Sequence, residues 1–211
     1  MAGSLLTFEG IDGSGKSTQI QLLEHEFNKL GVQYKTFREP GGTQLSEKIR
    51  AILLDKGNIE LSSTAESLLF AAARAQLTAE QIKPAIVNGE FVICDRFTDS
   101  TIAYQGYGRG LDIINLEKIN NIATDGLTPD ITFILDLNPL NAAERIETEA
   151  PDRMEATGID FFRKIRKGYH QIMEQNPDRC IKINGEQSQE NVFKEINQII
   201  LKRFEKELIC S

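Results

Sequence analysis

Residues 10–18 read Gly-Ile-Asp-Gly-Ser-Gly-Lys-Ser-Thr and satisfy G-x-x-x-x-G-K-[ST] at every fixed position. No other stretch restricts the fold so strongly, because the pattern works only where a strand turns through glycines into a helix. Leu5, Leu6, Thr7 and Phe8 form a short apolar run suited to a buried strand. After Lys16, apolar residues recur at Ile20, Leu23, Phe27 and Leu30, a helical spacing. Gly10, Gly13 and Gly15 let the backbone curl so that successive N–H groups face inward as a nest for phosphate oxygens. The helix that follows adds its unpaired N-terminal donors and the positive end of its dipole. Lys16 supplies a mobile charge for β- and γ-phosphates, and the Ser17 hydroxyl suits Mg²⁺. With Asp12, Ser14 and Thr18 in the same stretch, the reading is a site for the phosphates of a nucleoside triphosphate.

The rest of the chain alternates strands with helices. Val32–Phe37 alternates as a second strand after Gly31. It is followed by the turn-rich 38–43 and a helix carrying Leu45, Ile49, Ile52 and Leu53. Ser62 or Ser63 caps a long helix through Leu68, Leu69, Ala72 and Leu77, with a kink or break expected at Pro84. Phe91–Cys94 is a third strand, followed by a polar, glycine-rich segment over 98–110 and a helix over 113–123. A fourth strand spans 131–135, with a short helix over 140–146. Residues 147–158 read as an exposed mobile lid. A helix through Phe162, Ile165, Tyr169 and Ile172, a fifth strand over 180–183 and a helix through Val192, Ile196, Ile199 and Leu201 close the chain. Strands apolar throughout and separated by helices predict an α/β fold: a five-stranded parallel sheet covered on both faces, of the P-loop NTPase type. At 211 residues the chain suits a single domain. The segments after each strand should meet at one rim.

Charge and cysteine content narrow the function. A net charge of −7 speaks against binding duplex nucleic acid. Cys94, Cys180 and Cys210 are odd in number and widely spaced, which indicates neither a disulfide framework nor a zinc site, and suits a reduced, cytoplasmic setting. No apolar run approaches the ~20 residues of a membrane span, and too little chain precedes the first strand for a signal peptide.

A triphosphate site does not by itself identify a reaction. A GTPase would carry a guanine-reading N-K-x-D, which is missing here, and a motor would be larger. A small phosphotransferase with an anionic acceptor fits better. Phe70 and Arg74, four apart on a helix, share a face and can hold a flat base beside a polar group; the plainer alternative is a core phenylalanine and a solvated arginine. Asp95-Arg96 at a strand end offers a carboxylate near Mg²⁺ and a phosphate clamp, or simply an ion pair.

Phe8–Thr18, the Arg38-Glu-Pro-Gly-Gly-Thr43 string, Leu69–Arg74, Asp95-Arg-Phe97, Ser100–Arg109, Pro129-Asp130, Leu135-Asp136 and Asp152–Glu155 together resemble the thymidylate kinase family over nearly the whole chain. R-E-P-G-G-T and A-Y-Q-G-x-G-R are the discriminating strings. The resemblance implies transfer of the ATP γ-phosphoryl group to dTMP with Mg²⁺, giving dTDP and ADP for dTTP synthesis, by a homodimer. It implies that Phe70 stacks on thymine, that Arg74 and either Ser100 or Gln105 address the base edge, and that Arg96, with Arg38, holds the acceptor phosphate. Tyr104 would crowd the sugar 2′ position. Asp12 would meet the 3′-hydroxyl or orient metal and acceptor, and Asp95 would lie near Mg²⁺ with Ser17.

The family carries a catalytic arginine in the P-loop or in the lid. The stretch 12–14 has none, so the chain resembles the lid-arginine type, with Arg153 the first choice and Arg145 the second. Arg153 could instead pair with Asp152 or Glu155. Arg163 and Arg166 read as surface charges, and His25 and His170 as packing or surface residues. Two other functions remain open to the sequence: a kinase for another nucleoside monophosphate such as dUMP, and a P-loop switch that binds ATP without turnover.

Overall fold

A computed structural model of the chain describes residues 3–58, 60–145, 153 and 158–209. Five parallel strands form one sheet in the order β2-β3-β1-β4-β5. They are β1 Leu5–Glu9, β2 Tyr34–Arg38, β3 Phe91–Asp95, β4 Ile131–Asp136 and β5 Cys180–Asn184. β1 is central, with Phe8 in register with Asp95 on one side and Phe133 on the other. The three inner strands are buried almost throughout, whereas edge strands β2 and β5 are only partly covered. The expected five-stranded parallel sheet is therefore present.

Alternation along each strand sends side chains to opposite faces. Leu6, Phe8, Ile93 and Phe133 meet α1 (Lys16–Leu30) and α9 (Gln189–Arg203) through Ile20, Leu23, Phe27, Val192, Ile196 and Ile200. On the other face Leu5, Val92 and Cys94 pack against Leu77, Ile82 and Ala85. Nearby, Ile134 and Leu137 pack with Ile102, Leu116 and Ile165. On α2 (Gln44–Leu54), Ile49 and Leu53 are buried, but Leu45 and Ile52 of the predicted apolar stripe are exposed. On α9 Ile200 takes the buried position while Leu201 is exposed.

Two segments differ from the sequence reading. α3 (Ser63–Leu77) does not break outright at Pro84: it passes through a π-helical turn, Thr78–Ile82, into α4 (Lys83–Val87) with Pro84 in the first turn. Pro84 has no N–H to give to the preceding turn, and the wider π-helical turn just before it lets the helix continue past the proline. The polar, glycine-rich stretch after β3, to which the sequence reading gave no element, is helical: α5 (Thr98–Thr101) continues as a π-helical segment, Ile102–Gly108. The remaining helices are α6 (Ile113–Thr124), α7 (Pro139–Arg145), α8 (Ile159–Gln175) and α10 (Glu205–Ile209). The lid expected over 147–158 lies outside the described residues except for Arg153 and Gly158.

No described helix is long and apolar enough to cross a membrane. Cys94 and Cys180 are buried free thiols.

Candidate active site

Because β1 is central, the turn that leaves it is flanked by the ends of β3 and β4. At Gly10 (φ 140°) a Cβ would stand 2.7 Å from the Leu135 carbonyl oxygen, so only glycine lets the turn lie this close to β4. Gly15, left-handed at φ 97°, leads into α1 without any side-chain cap. By contrast Thr43, Ser62, Asp112 and Ser188 cap α2, α3, α6 and α9 with their own oxygens. The first N–H groups of α1 are thus left for an external anion.

The Lys16 ammonium donates to the carbonyls of Gly10 (3.2 Å) and Ile11 (3.1 Å). Burial, reinforced by Arg96, pulls its pKa down. The Ser17 hydroxyl donates to Asp95 Oδ2 at 3.0 Å. This pair gives hard oxygen donors of the kind Mg²⁺ prefers, and Mg²⁺ commonly keeps several waters and takes substrate phosphate oxygens besides. Among the described residues no group of three or more His, Cys, Asp or Glu forms a full ligand cage.

Arg96 follows β3 with φ 72°, a left-handed backbone that costs a non-glycine residue free energy. That twist aims its guanidinium at Asp12 Oδ1 (2.6 Å), the Gly10 carbonyl (3.0 Å) and Ser100 Oγ (3.2 Å). The guanidinium also stacks 4.8 Å from the Tyr104 ring, whose hydroxyl donates to Asp12 Oδ2 at 3.1 Å. Burial pushes the Asp12 carboxyl up, but Arg96 and Lys16 outweigh it and hold the group at about 2.

Two cavities meet here. A cleft of about 800 Å³ is lined by Asp12–Gln19, Arg38, Asp95, Arg145, Gly185 and Gln187 among others. A smaller one, about 110 Å³, is lined by Phe70, Arg74, Ser100, Tyr104 and Gln105 among others. Asp12, Glu39, Arg50 and Arg96 belong to both walls. Every candidate site residue singled out from the sequence lines one cavity or the other, except Gly10 and Arg153. Gly10 contributes its carbonyl rather than a lining surface. Arg38 reaches only the larger cleft, paired with Glu47 at 3.3 Å. Arg153 lines neither; its Nε donates to the Leu53 carbonyl (2.8 Å) and Nη2 lies 2.7 Å from Glu66 Oε2. Arg145, the second choice, lines the phosphate cleft and donates to the Gly185 carbonyl at 3.1 Å.

Arg74 is not a solvated charge. It is 2% exposed and donates to Glu39, Thr101, Asn120 and the Phe97 carbonyl. Ser100 gives its proton to Glu9 Oε2 at 2.6 Å. His170 and Arg166, read as packing or surface residues, both bind Asp136: His170 Nε2 at 2.9 Å, and Arg166 through two nitrogens at 2.6 and 3.0 Å. Residue periodicity could not show this, since Asp136 stands on a strand 30 or more positions away.

Four residues of the site had no role assigned from sequence. Arg50 donates to the Pro40 carbonyl at 2.9 Å. Glu39 is buried, and its Oε1 has no hydrogen-bond partner among the described residues. Burial pushes its carboxyl up to about 7 against the pull of Arg74. Glu9 accepts from the Phe97 and Ser100 N–H groups and from the Ser100 and Tyr169 hydroxyls. A charged residue ending an otherwise apolar strand was the available signal. Glu66 lies four residues before Phe70 on the face the sequence had already marked.

The thymidylate kinase family model matches residues 8–196. A thymidylate kinase from Chlorobaculum tepidum is 47% identical over 202 residues, covering 91% of this chain and 94% of its own. One from Desulforudis audaxviator is 44% identical over 187 residues, covering 88% and 85%. The crystal structure of thymidylate kinase from Ehrlichia chaffeensis superposes with a TM-score of 0.78 at 37% identity, covering 95% of this chain and 99% of that one.

Proposed function

The chain belongs to the thymidylate kinase family, and from that premise we propose that it transfers the γ-phosphoryl group of ATP to dTMP, giving ADP and dTDP. The observation that carries this is the wall common to the two cavities. A triphosphate cleft and an acceptor cavity share Asp12, Glu39, Arg50 and Arg96, so donor and acceptor phosphates can meet across one charged partition.

The acceptor phosphate is already anionic and needs no general base. Its oxygen attacks the γ-phosphorus, the bond to the β-bridging oxygen breaks, and ADP leaves with that electron pair. The protein positions the two groups and neutralises charge. Lys16 and the open end of α1 face the triphosphate. Arg96, held by Asp12, clamps the acceptor phosphate together with Arg50, and Arg38 adds charge on the cleft side. Phe70 stacks on thymine beside Arg74 and Gln105, and Tyr104 crowds the 2′ position. Ser17 and Asp95 would hold Mg²⁺, which neutralises phosphate charge when bound.

Arg145 is the arginine that the cleft geometry favours for the transferring group. Arg153 serves the acceptor side through Glu66, and would have to leave Glu66 and Leu53 to act in the lid role expected of it.

A cytoplasmic homodimer completes the reading. Leu45 and Ile52 on α2, Leu68 on α3, and Ile114 and Ile122 on α6 are exposed apolar residues on helices that pack as neighbours, α3 against both α2 and α6. They suit a second copy of the chain.

The test is ADP release with MgATP and, in parallel, dTMP, dUMP, ribo-TMP, dCMP, AMP or no acceptor. We expect dTMP to lead, with dUMP behind by the ~1–3 kcal/mol of a methyl group. Equal ADP release without acceptor would refute the proposal.

A further inference from the structure

We propose that Glu66 is a positioning residue that fixes which way the Gln105 amide faces, and thereby makes the acceptor cavity select a pyrimidine carrying N3–H over one with a bare N3. The inference rests on the reading of the smaller cavity as the dTMP site.

Glu66, Phe70 and Arg74 follow at intervals of four on α3 and share a face. The Glu66 side chain is 1% exposed. Its Oε1 accepts from Gln105 Nε2 at 2.9 Å, and the carboxylate is ion-paired with Arg109 (3.3 Å) and Arg153 (2.7 Å). A carboxylate held by two guanidinium groups only accepts hydrogen bonds, so the end of Gln105 that meets it must be the NH₂. Chemistry, rather than convention, settles this amide.

Gln105 is itself 2% exposed and lines the cavity with Phe70 and Tyr104. Among the described residues nothing donates to its Oε1, which leaves a carbonyl acceptor for the ligand. Thymine and uracil offer N3–H to such an acceptor. Cytosine presents an unprotonated N3, and to meet it the amide must turn over. That turn would set the Gln105 carbonyl against the Glu66 carboxylate, two acceptors with no proton between them, in a buried site where the mismatch is costly.

The experiment compares kcat/KM for dTMP and dCMP in wild type, Glu66→Gln, Gln105→Leu and the double variant. Glu66→Gln keeps the shape but can donate as well as accept, freeing the amide to turn. The dTMP/dCMP ratio should fall at least about tenfold in Glu66→Gln. In the Gln105→Leu background the same substitution should leave the ratio unchanged.

Parallel loss with both nucleotides, or an equal shift in the Gln105→Leu background, would overturn the proposal: Glu66 would then only hold Arg109 and Arg153. Should Glu66→Gln fail to fold, Gln105→Leu alone still decides. Removing the carbonyl that meets N3–H should lower the dTMP/dCMP ratio, and an unmoved ratio refutes the proposal. Wild type inactive on dTMP would remove the acceptor reading itself, whereas an active wild type with an unmoved ratio removes only the role of Glu66.

Discussion

Arg96 gathers the contacts of the candidate site in one side chain: its left-handed backbone aims the guanidinium, and Asp12, Tyr104 and the Gly10 carbonyl hold it there. Around it the arginines divide their work by position. Arg145 lines the phosphate cleft and Arg153 sits on Glu66. Accordingly, Arg145→Ala should lower kcat by about 10²–10³ with little change in KM for dTMP, while Arg153→Ala should mainly raise that KM. Steady-state kinetics on both variants checks this, and the reverse pattern would put Arg153 at the transferring phosphate. Glu39 gives a pH signature. Its carboxyl is raised by burial from 4.5 to about 7, so the folded state binds the extra proton between those values. Its contribution therefore makes stability fall as pH rises across that window. In thermal melts Glu39→Gln should flatten this part of the profile; an unchanged slope would contradict the assignment. Motif residues such as Lys16, Phe70 and Tyr104 were legible because family strings carry them. Glu9 and Glu39 stand inside those strings and still had no role, because their partners lie 35 or more positions away, as do those of Glu66; Arg50 lies outside the strings.

The acceptor wall depends on how two helical elements interlock. Phe161 of α8 lies over Gly108 of the π-helical segment, where a Cβ would stand 2.6 Å from its ring. Tyr107 of that segment lies over Gly168 of α8, where a Cβ would come within 2.8 Å. Each glycine admits the other element's aromatic ring, and Tyr104 and Gln105 ride on the result. Gly168→Ala should therefore cost about 1–3 kcal/mol by overpacking, in spite of alanine's better helix propensity. It should also raise KM for dTMP, read by thermal unfolding and kinetics; an unchanged melting temperature would show that Tyr107 can move aside. The strands, α1 and α3 were legible from apolar runs and 3.6-residue spacing. The segment after β3 was not: its polar, glycine-rich sequence has no helical period, and packing against α8 supplies what local propensity lacks. The π-helical turn before Pro84 was legible only as an interruption.

At the scale of the whole molecule, strand order explains why so short a chain gathers two phosphate-bearing substrates. β1 at the centre delivers the glycine turn, β3 beside it delivers Asp95 and Arg96, and β4 delivers Asp136 near the Gly185 turn. The parallel sheet was readable, since apolar strands alternating with helices leave few other arrangements, and the candidate residues do gather at the ends of its strands. Strand order and the cavity wall shared by donor and acceptor were not readable, because neither leaves a local pattern. That shared wall is the central claim, and following phosphorus directly tests it most closely. In a ³¹P NMR time course with MgATP and dTMP, ATP and dTMP should disappear together while ADP and dTDP rise in equal amounts. ADP accompanied by inorganic phosphate, with dTMP untouched, would contradict the account, because the acceptor cavity would then take no part in the reaction.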